Sequence, residues 1–460
     1  VEVTPVAAPA RSRSSSWTAA HAERLLWRAG FGGTPAERAY WHHRGRGATV
    51  SWLVHGGHGP HGARSMVGAK PRVDGKALDP VNVWGHDRLW WLDRMVRSQR
   101  PLVEKLTLFW HDHFATAEQE TPLMLAQNKL LRAHALGSFP DLLTAITQDP
   151  AMQSFLSLVD SSKDDPNENY ARELMELFTL GADNGYTEKD VREAARALTG
   201  WQGVWKEGEP LRVRYVPEAH DDGVKTILGQ RGRWDWRDVL RIVVARPEHA
   251  TFLVTKLWTF FVGDTPPDKA TRRALARTYV RSGHRIAPVV QDILSSPALY
   301  RKLDRPAMVK WPVVQIAGTL RQVGRPIDTD AWSWLQEEMG QGLFDPPSVA
   351  GWDWGAAWMS TASMRARFIF ATYLCSDAPV EVGKHTASVR WNAADHVRHA
   401  RKATGDPWTS AATDAELGRL ARGFLAKGRT PQGDTPDYIA RLTQAALRHF
   451  LLSGPDAQLC

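Results

Sequence analysis

Apolar residues recur every three or four positions along most of the chain, the period of helices that bury one face. The pattern predicts a helix opening at Trp17 and stopping at Gly30-Phe-Gly-Gly33. The next follows a start signal, with Thr34 as N-cap, Pro35 at N1 and Glu37 at N3. Further helices are predicted over Asn82–Arg97, Leu102–Phe114, Leu123–Leu136 and Asp141–Thr147. Asp165-Pro166-Asn167-Glu168 reads as a capping box opening a helix to Gly181, and Thr187 opens one that ends at Gly200. The period returns over Trp236–Ala245, His249–Val262, Asp268–Ser282, Ile286–Leu294, Pro312–Val323, Ser363–Cys375, Asp414–Lys427 and Thr435–Leu452.

Strand chemistry is confined to 201–232, where the runs Leu211–Val216 and Lys225–Leu228 lie between turn residues and read as a hairpin. Gly56–Gly62, with His55, His58 and His61, and the Gly/Trp/Pro-rich stretch Gly340–Trp358 read as loops. No repeat appears at periods of roughly 20 to 50 residues, which disfavours a solenoid. The expected fold is mainly α. It has a flexible tail over 1–16, a large helical core over 17–375 with a β insertion near 201–232, and a linker-like segment over 376–460 whose helices pack on the core.

Composition narrows the function classes. With 43% hydrophobic and 23% charged residues, the chain of 460 has the profile of an ordinary globular protein. Its net charge of +8 comes from scattered Arg and Lys rather than from a basic block, so a nucleic-acid arm is not expected. No apolar run is long enough to span a bilayer. The opening Ala/Pro/Ser-rich stretch reads as a tail or the remnant of a processed, exported precursor. A bridge between the two cysteines, Cys375 and Cys460, is not expected from their spacing. The anomaly is tryptophan, 21 residues of 460.

The run Pro166-Asn-Glu-Asn-Tyr-Ala-Arg-Glu-Leu-Met-Glu-Leu-Phe-Thr-Leu-Gly181, followed by Gly185-Tyr-Thr-Glu-Lys-Asp-Val191 and by Ala-Arg-Ala-Leu-Thr-Gly-Trp201, resembles the signature of the bacterial family called domain of unknown function 1800. Agreeing blocks are Leu108-Phe-Trp-His-Asp-His-Phe114, His134-Ala-Leu-Gly-Ser-Phe139, His220-Asp-Asp-Gly-Val-Lys-Thr226 and Gly342-Leu-Phe-Asp-Pro-Pro-Ser-Val-Ala-Gly-Trp352. The resemblance covers about residues 17 to 375, and nothing after Ser376 is recognised. It implies an exported or envelope-associated protein without an assigned activity. It further implies a partner from a neighbouring family with an alkaline-phosphatase-like fold, and a glycan or peptide substrate.

The strongest chemical candidate is the signature helix. On a regular helix Asn169, Arg172, Glu173 and Glu176 share about a third of the circumference. Two carboxylates at i, i+3 can ligate a metal together or share a proton as an acid/base pair. The plain alternative is a solvated face with an Arg172–Glu176 ion pair. His111 and His113 point about 200° apart on a straight helix, so they cannot bind one metal unless the helix ends there. His113 lies on the apolar stripe, and the face of His111 is less apolar. His220, in the turn-like His220-Asp-Asp-Gly223, can close a site over the helices, and Lys225 can bind an anion.

These residues give the leading expectation: a divalent or transition metal held by Glu173 and Glu176 with His111 or His113 and His220, with hydrolysis as default reaction and oxidation as the variant. A second reading is metal-free glycoside hydrolysis by carboxylates, with a second acid from Asp112 or Asp221 and with Trp352 and Trp354 stacking on sugars. A third is a non-catalytic binding or assembly protein. No nucleophile elbow, phosphate loop, zincin helix or paired CxxC is present to favour another chemistry.

Overall fold

The computed structural model describes residues 17–57, 59–60, 70–376, 391–426 and 436–460. The tail over 1–16, His58, His61 and much of the predicted linker lie outside the described residues.

The fold is mainly α, as expected, and most predicted helices form within a few residues of their sequence boundaries. The Thr34 start signal works as read: Thr34 Oγ1 accepts from Glu37 N at 3.2 Å, and Thr34 N donates to Glu37 Oε2 at 3.0 Å. The helix it opens, Pro35–His55, bends at Gly45, whose φ of 83° a side chain would resist. Glu37 has a second role, because its buried carboxylate also takes both forks of Arg321 from the Pro312–Val323 helix. One side chain therefore starts a helix and pins it to a distant one.

Three differences have local causes. Pro150–Phe155 and Ala331–Glu338 are too short for their period to show in the sequence. The segment read as linker holds a further helix, Ala393–Ala403, opened by an Asn392/Asp395 capping box. The single expected hairpin is two hairpins. Trp201–Lys206 pairs with Glu209–Tyr215, and Lys225–Ile227 pairs with Gln230–Gly232. The second turns at Leu228-Gly229, both with positive φ, as a tight two-residue turn requires. A third small ladder joins Arg72–Val73 to Lys76–Ala77.

One large apolar core runs from Leu25 to Leu374, adds Leu452 and Cys460 from the end of the chain, and takes in Trp27, Trp41, Trp91, Trp110, Trp236 and Trp332. Much of the tryptophan excess is thus packing material. Ala400, Leu417, Ala421, Leu447 and Leu451 form a satellite core among the last helices. That unit is tied to the main body through Gln322 Nε2, which donates to Thr404 O at 2.9 Å, and Arg38 Nη2, which donates to Gly405 O at 2.9 Å. Cys375 and Cys460 are free thiols. Among the described residues no helix is long and apolar enough to cross a membrane.

Candidate functional site

The signature run does not form the uniform α-helix its period suggests. It is α-helical over Asn169–Glu173 and continues as a π-helix over Leu174–Thr179. The capping box is absent too: Asn169 N donates to Asn167 Oδ1 at 2.9 Å, while Glu168 accepts from Arg172 at 3.1 Å. A π-helix bonds i to i+5 and is found mostly where function or packing demands it. Thr179 Oγ1 supports the widened turn by donating to Leu174 O, five residues back.

Two buried histidines tie off the carbonyls at its end. His113 Nε2–H donates to Phe178 O at 3.0 Å, and His249 Nδ1–H donates to Thr179 O at 3.1 Å. His249 Nε2 in turn accepts from the Tyr279 hydroxyl at 2.8 Å. Burial lowers the pKa of His249 to about 4 and that of His113 well below the ordinary imidazole value, so both rings are neutral. His113 lies among Phe109, Trp110, Phe114 and Phe178, and its Nδ1 is buried without a hydrogen bond.

On the signature segment Asn169 is exposed, whereas Arg172, Glu173 and Glu176 are half-buried. Arg172 pairs with Glu188 at 2.7 Å and with Glu168, not with Glu176 as the solvated-face reading expected. Glu173 is held above the usual carboxylate range, first by burial and then by the charge of Glu176; Arg172 opposes the rise. Tyr186, in the Gly185-Tyr-Thr block next to the signature run and not among the expected site residues, belongs to the same group. Its hydroxyl is pushed up by burial and by the Glu176 charge. Its place in the Gly185-Tyr-Thr block was the available signal.

His111 faces the core. The helix does end at His113, but His111 Nε2 accepts from Phe344 N at 3.2 Å and its ring packs against Trp91, Phe344 and Trp352. Burial takes its pKa down to about 3. The expectation of a less apolar face is therefore corrected. Asp112, between the two histidines, joins the motif to the tryptophan loop: Oδ1 accepts from Trp352 N at 2.9 Å and Oδ2 from Trp354 Nε1 at 3.2 Å. Burial raises Asp112 to about 6 despite these bonds and the charge of Lys256. Trp352 and Trp358 are each only 4% exposed, and Trp354 spends its N–H on Asp112. The loop is a wedge between helices, which corrects the expectation that Trp352 and Trp354 offer stacking faces. The tryptophans that do face solvent are Trp84, 70% exposed, and Trp205, 65% exposed.

His220 and Lys225 belong to the β region and serve it. His220 Nδ1–H donates to Thr199 O at 3.0 Å. Lys225 is fully buried and caps the Asp221 and Gly223 carbonyls, so it has no face for an anion. Asp221 is held by Arg196 at 2.7 Å and accepts from Gly223 N. Among the described residues no three His, Cys, Asp or Glu side chains are grouped so as to hold a metal ion. The five expected ligands thus divide into His113 on the end of the π-helix, His111 on the tryptophan loop, a turn histidine and the carboxyl pair.

A family model described as "Protein of unknown function (DUF1800)" matches residues 24–459. The match runs past the limit near residue 375 set by the motifs, so the C-terminal helices are part of the family unit. No curated protein and no solved structure matches the chain.

Proposed function

The chain belongs to the DUF1800 family, a description that carries no activity, and from its residues we propose a hydrolase in which Glu173 and Glu176 form a carboxyl pair that shares a proton and activates water. The supporting observation is the raised proton affinity of Glu173, caused by partial burial and by the neighbouring Glu176 charge. A carboxyl of raised proton affinity beside a second carboxyl offers an acid and a base from one site. Tyr186, within the field of Glu176, adds a hydroxyl that can orient a substrate oxygen.

A metal held by these carboxylates and His111, His113 and His220 is less well supported. His111 Nε2, His113 Nε2 and His220 Nδ1 are already engaged with backbone groups. The flanking arrangement of a glycosidase needs a second acid across the bond, and both candidates, Asp112 and Asp221, are committed elsewhere. Substrate and place follow the family resemblance: a glycan or peptide polymer outside the cytoplasm or in the envelope, handled together with a phosphatase-like partner.

The test is incubation of the protein with envelope polysaccharides and peptides, scoring new reducing ends and new amines. Glu173→Gln should lower the rate by about 100-fold or more, the scale of a lost general acid/base. A folded Glu173→Gln variant with the full rate would defeat the proposal. A binding or assembly role is the second reading, favoured by the exposed Val81, Val83 and Trp84 on one loop.

A further inference from the structure

The arginines that look scattered in sequence converge in space. Arg94 and Arg97 close the His86–Arg97 helix, Arg100 precedes the Pro101–His113 helix, and Arg132 lies in the last turn of the Thr121–His134 helix. All four line one cleft of about 680 Å³, within the size range of small-ligand sites. The lining holds two carboxylates, Asp93 and Glu104, so two positive charges are left over.

Both carboxylates are buried and in use. Glu104 accepts from Arg132 Nε at 2.7 Å and Nη2 at 2.9 Å, from Trp91 Nε1 at 3.3 Å, and pairs with Arg94 at 3.4 Å. Asp93 pairs with Arg97 through Oδ2, while Asp93 Oδ1 and Arg97 Nε are both buried with no hydrogen bond of their own. Arg100 gives one N–H to Val54 O at 3.4 Å. The Trp90 ring lies under both Arg94, at 5.4 Å, and Arg132, at 5.7 Å, which stiffens the two guanidiniums. Fixed guanidinium forks with donors to spare match the oxygens of a tetrahedral anion.

We propose that this cleft binds a doubly charged oxyanion, a phosphate group above all, held by Arg94, Arg97 and Arg100 while Arg132 and Glu104 fix the wall. The site is independent of the carboxyl pair, and neither proposal needs the other.

The experiment is calorimetric titration of the full chain with inorganic phosphate and with glucose 6-phosphate at matched ionic strength, alongside the thermal melt. Binding should be saturable and raise the melting temperature. It should weaken at least tenfold in Arg94→Ala/Arg100→Ala, a pair that leaves Arg132 on Glu104 and Arg97 on Asp93. Arg94→Lys/Arg100→Lys should be intermediate, because lysine keeps the charge and loses the fork. Tighter binding of the sugar phosphate means the group is carried on a larger molecule; equal or weaker binding means free phosphate suffices. Glu173→Gln should bind as wild type does, which separates this claim from the hydrolase. No heat and no melting shift with either anion overturns the proposal. So does unchanged affinity in the alanine pair, or in the lysine pair should the alanine pair not fold.

Discussion

Asp112 and Trp352 lie 240 positions apart, yet the Asp112 carboxylate takes the Trp352 backbone N–H at 2.9 Å and, through its other oxygen, the Trp354 indole N–H. The bond locks the Gly340–Trp358 loop onto the end of the Pro101–His113 helix. Gly351 allows the approach: it has a φ of 87°, and a Cβ there would stand 2.4 Å from Asp112 Oδ1. Two sequence blocks of the family are thus halves of one joint.

Breaking that joint should be costly. Asp112→Ala leaves two N–H groups without a partner, one of them buried, and should destabilise the fold by about 2–4 kcal/mol, at roughly 1–3 kcal/mol per orphaned donor. Gly351→Ala should lose a comparable amount through clash and backbone strain. Denaturant unfolding of both variants checks this, with Trp205→Ala, on an exposed strand position, as a control expected to lie within about 0.5 kcal/mol of wild type.

Much of this fold is legible from period and caps. Thr34, Pro35 and Glu37 announce their helix because the capping box is a local interaction, complete within four residues. The site was less legible because its decisive features are not local. The π-helix at Leu174–Thr179 depends on carbonyl partners supplied by His113 and His249, and nothing in the signature run encodes them. Likewise Asp112 reads as one more helical acid until Trp352 arrives from the far end of the chain. The four cleft arginines come from the ends of two helices and a connecting loop, so no charge run marks them.

The buried histidines set the response to acid. His111 and His249 have folded pKa values of about 3 and about 4, and His113 is also strongly lowered, against 6.5 for a free imidazole. Below pH 6.5 the unfolded chain takes up protons that the native rings refuse, so stability falls as pH drops. Each such histidine should cost about 2 kcal/mol between pH 7 and pH 5. Asp112 and Asp149, both raised to about 6 from 3.8, act oppositely by favouring the native state as they protonate between about pH 6 and 4. Unfolding free energies at pH 7 and pH 5 should therefore differ less in His249→Gln than in wild type. An equal difference would mean that the native ring does titrate.

Chelation gives a sharp contrast with the metal reading. With ring nitrogens of His111, His113 and His220 already bonded to backbone groups, excess chelator should leave both the melting temperature and any hydrolytic activity unchanged. A loss restored by one added metal would return these residues to a ligand role.

The carboxyl pair can be tested without knowing the substrate, by following the side-chain carboxyl carbon of Glu173 through a pH titration with NMR in wild type and in Glu176→Gln. The account predicts a Glu173 midpoint above the ordinary glutamate range in wild type, moving down when the Glu176 charge is removed. An ordinary midpoint, or a raised one indifferent to Glu176→Gln, would contradict the proton-sharing pair on which the proposed hydrolysis rests.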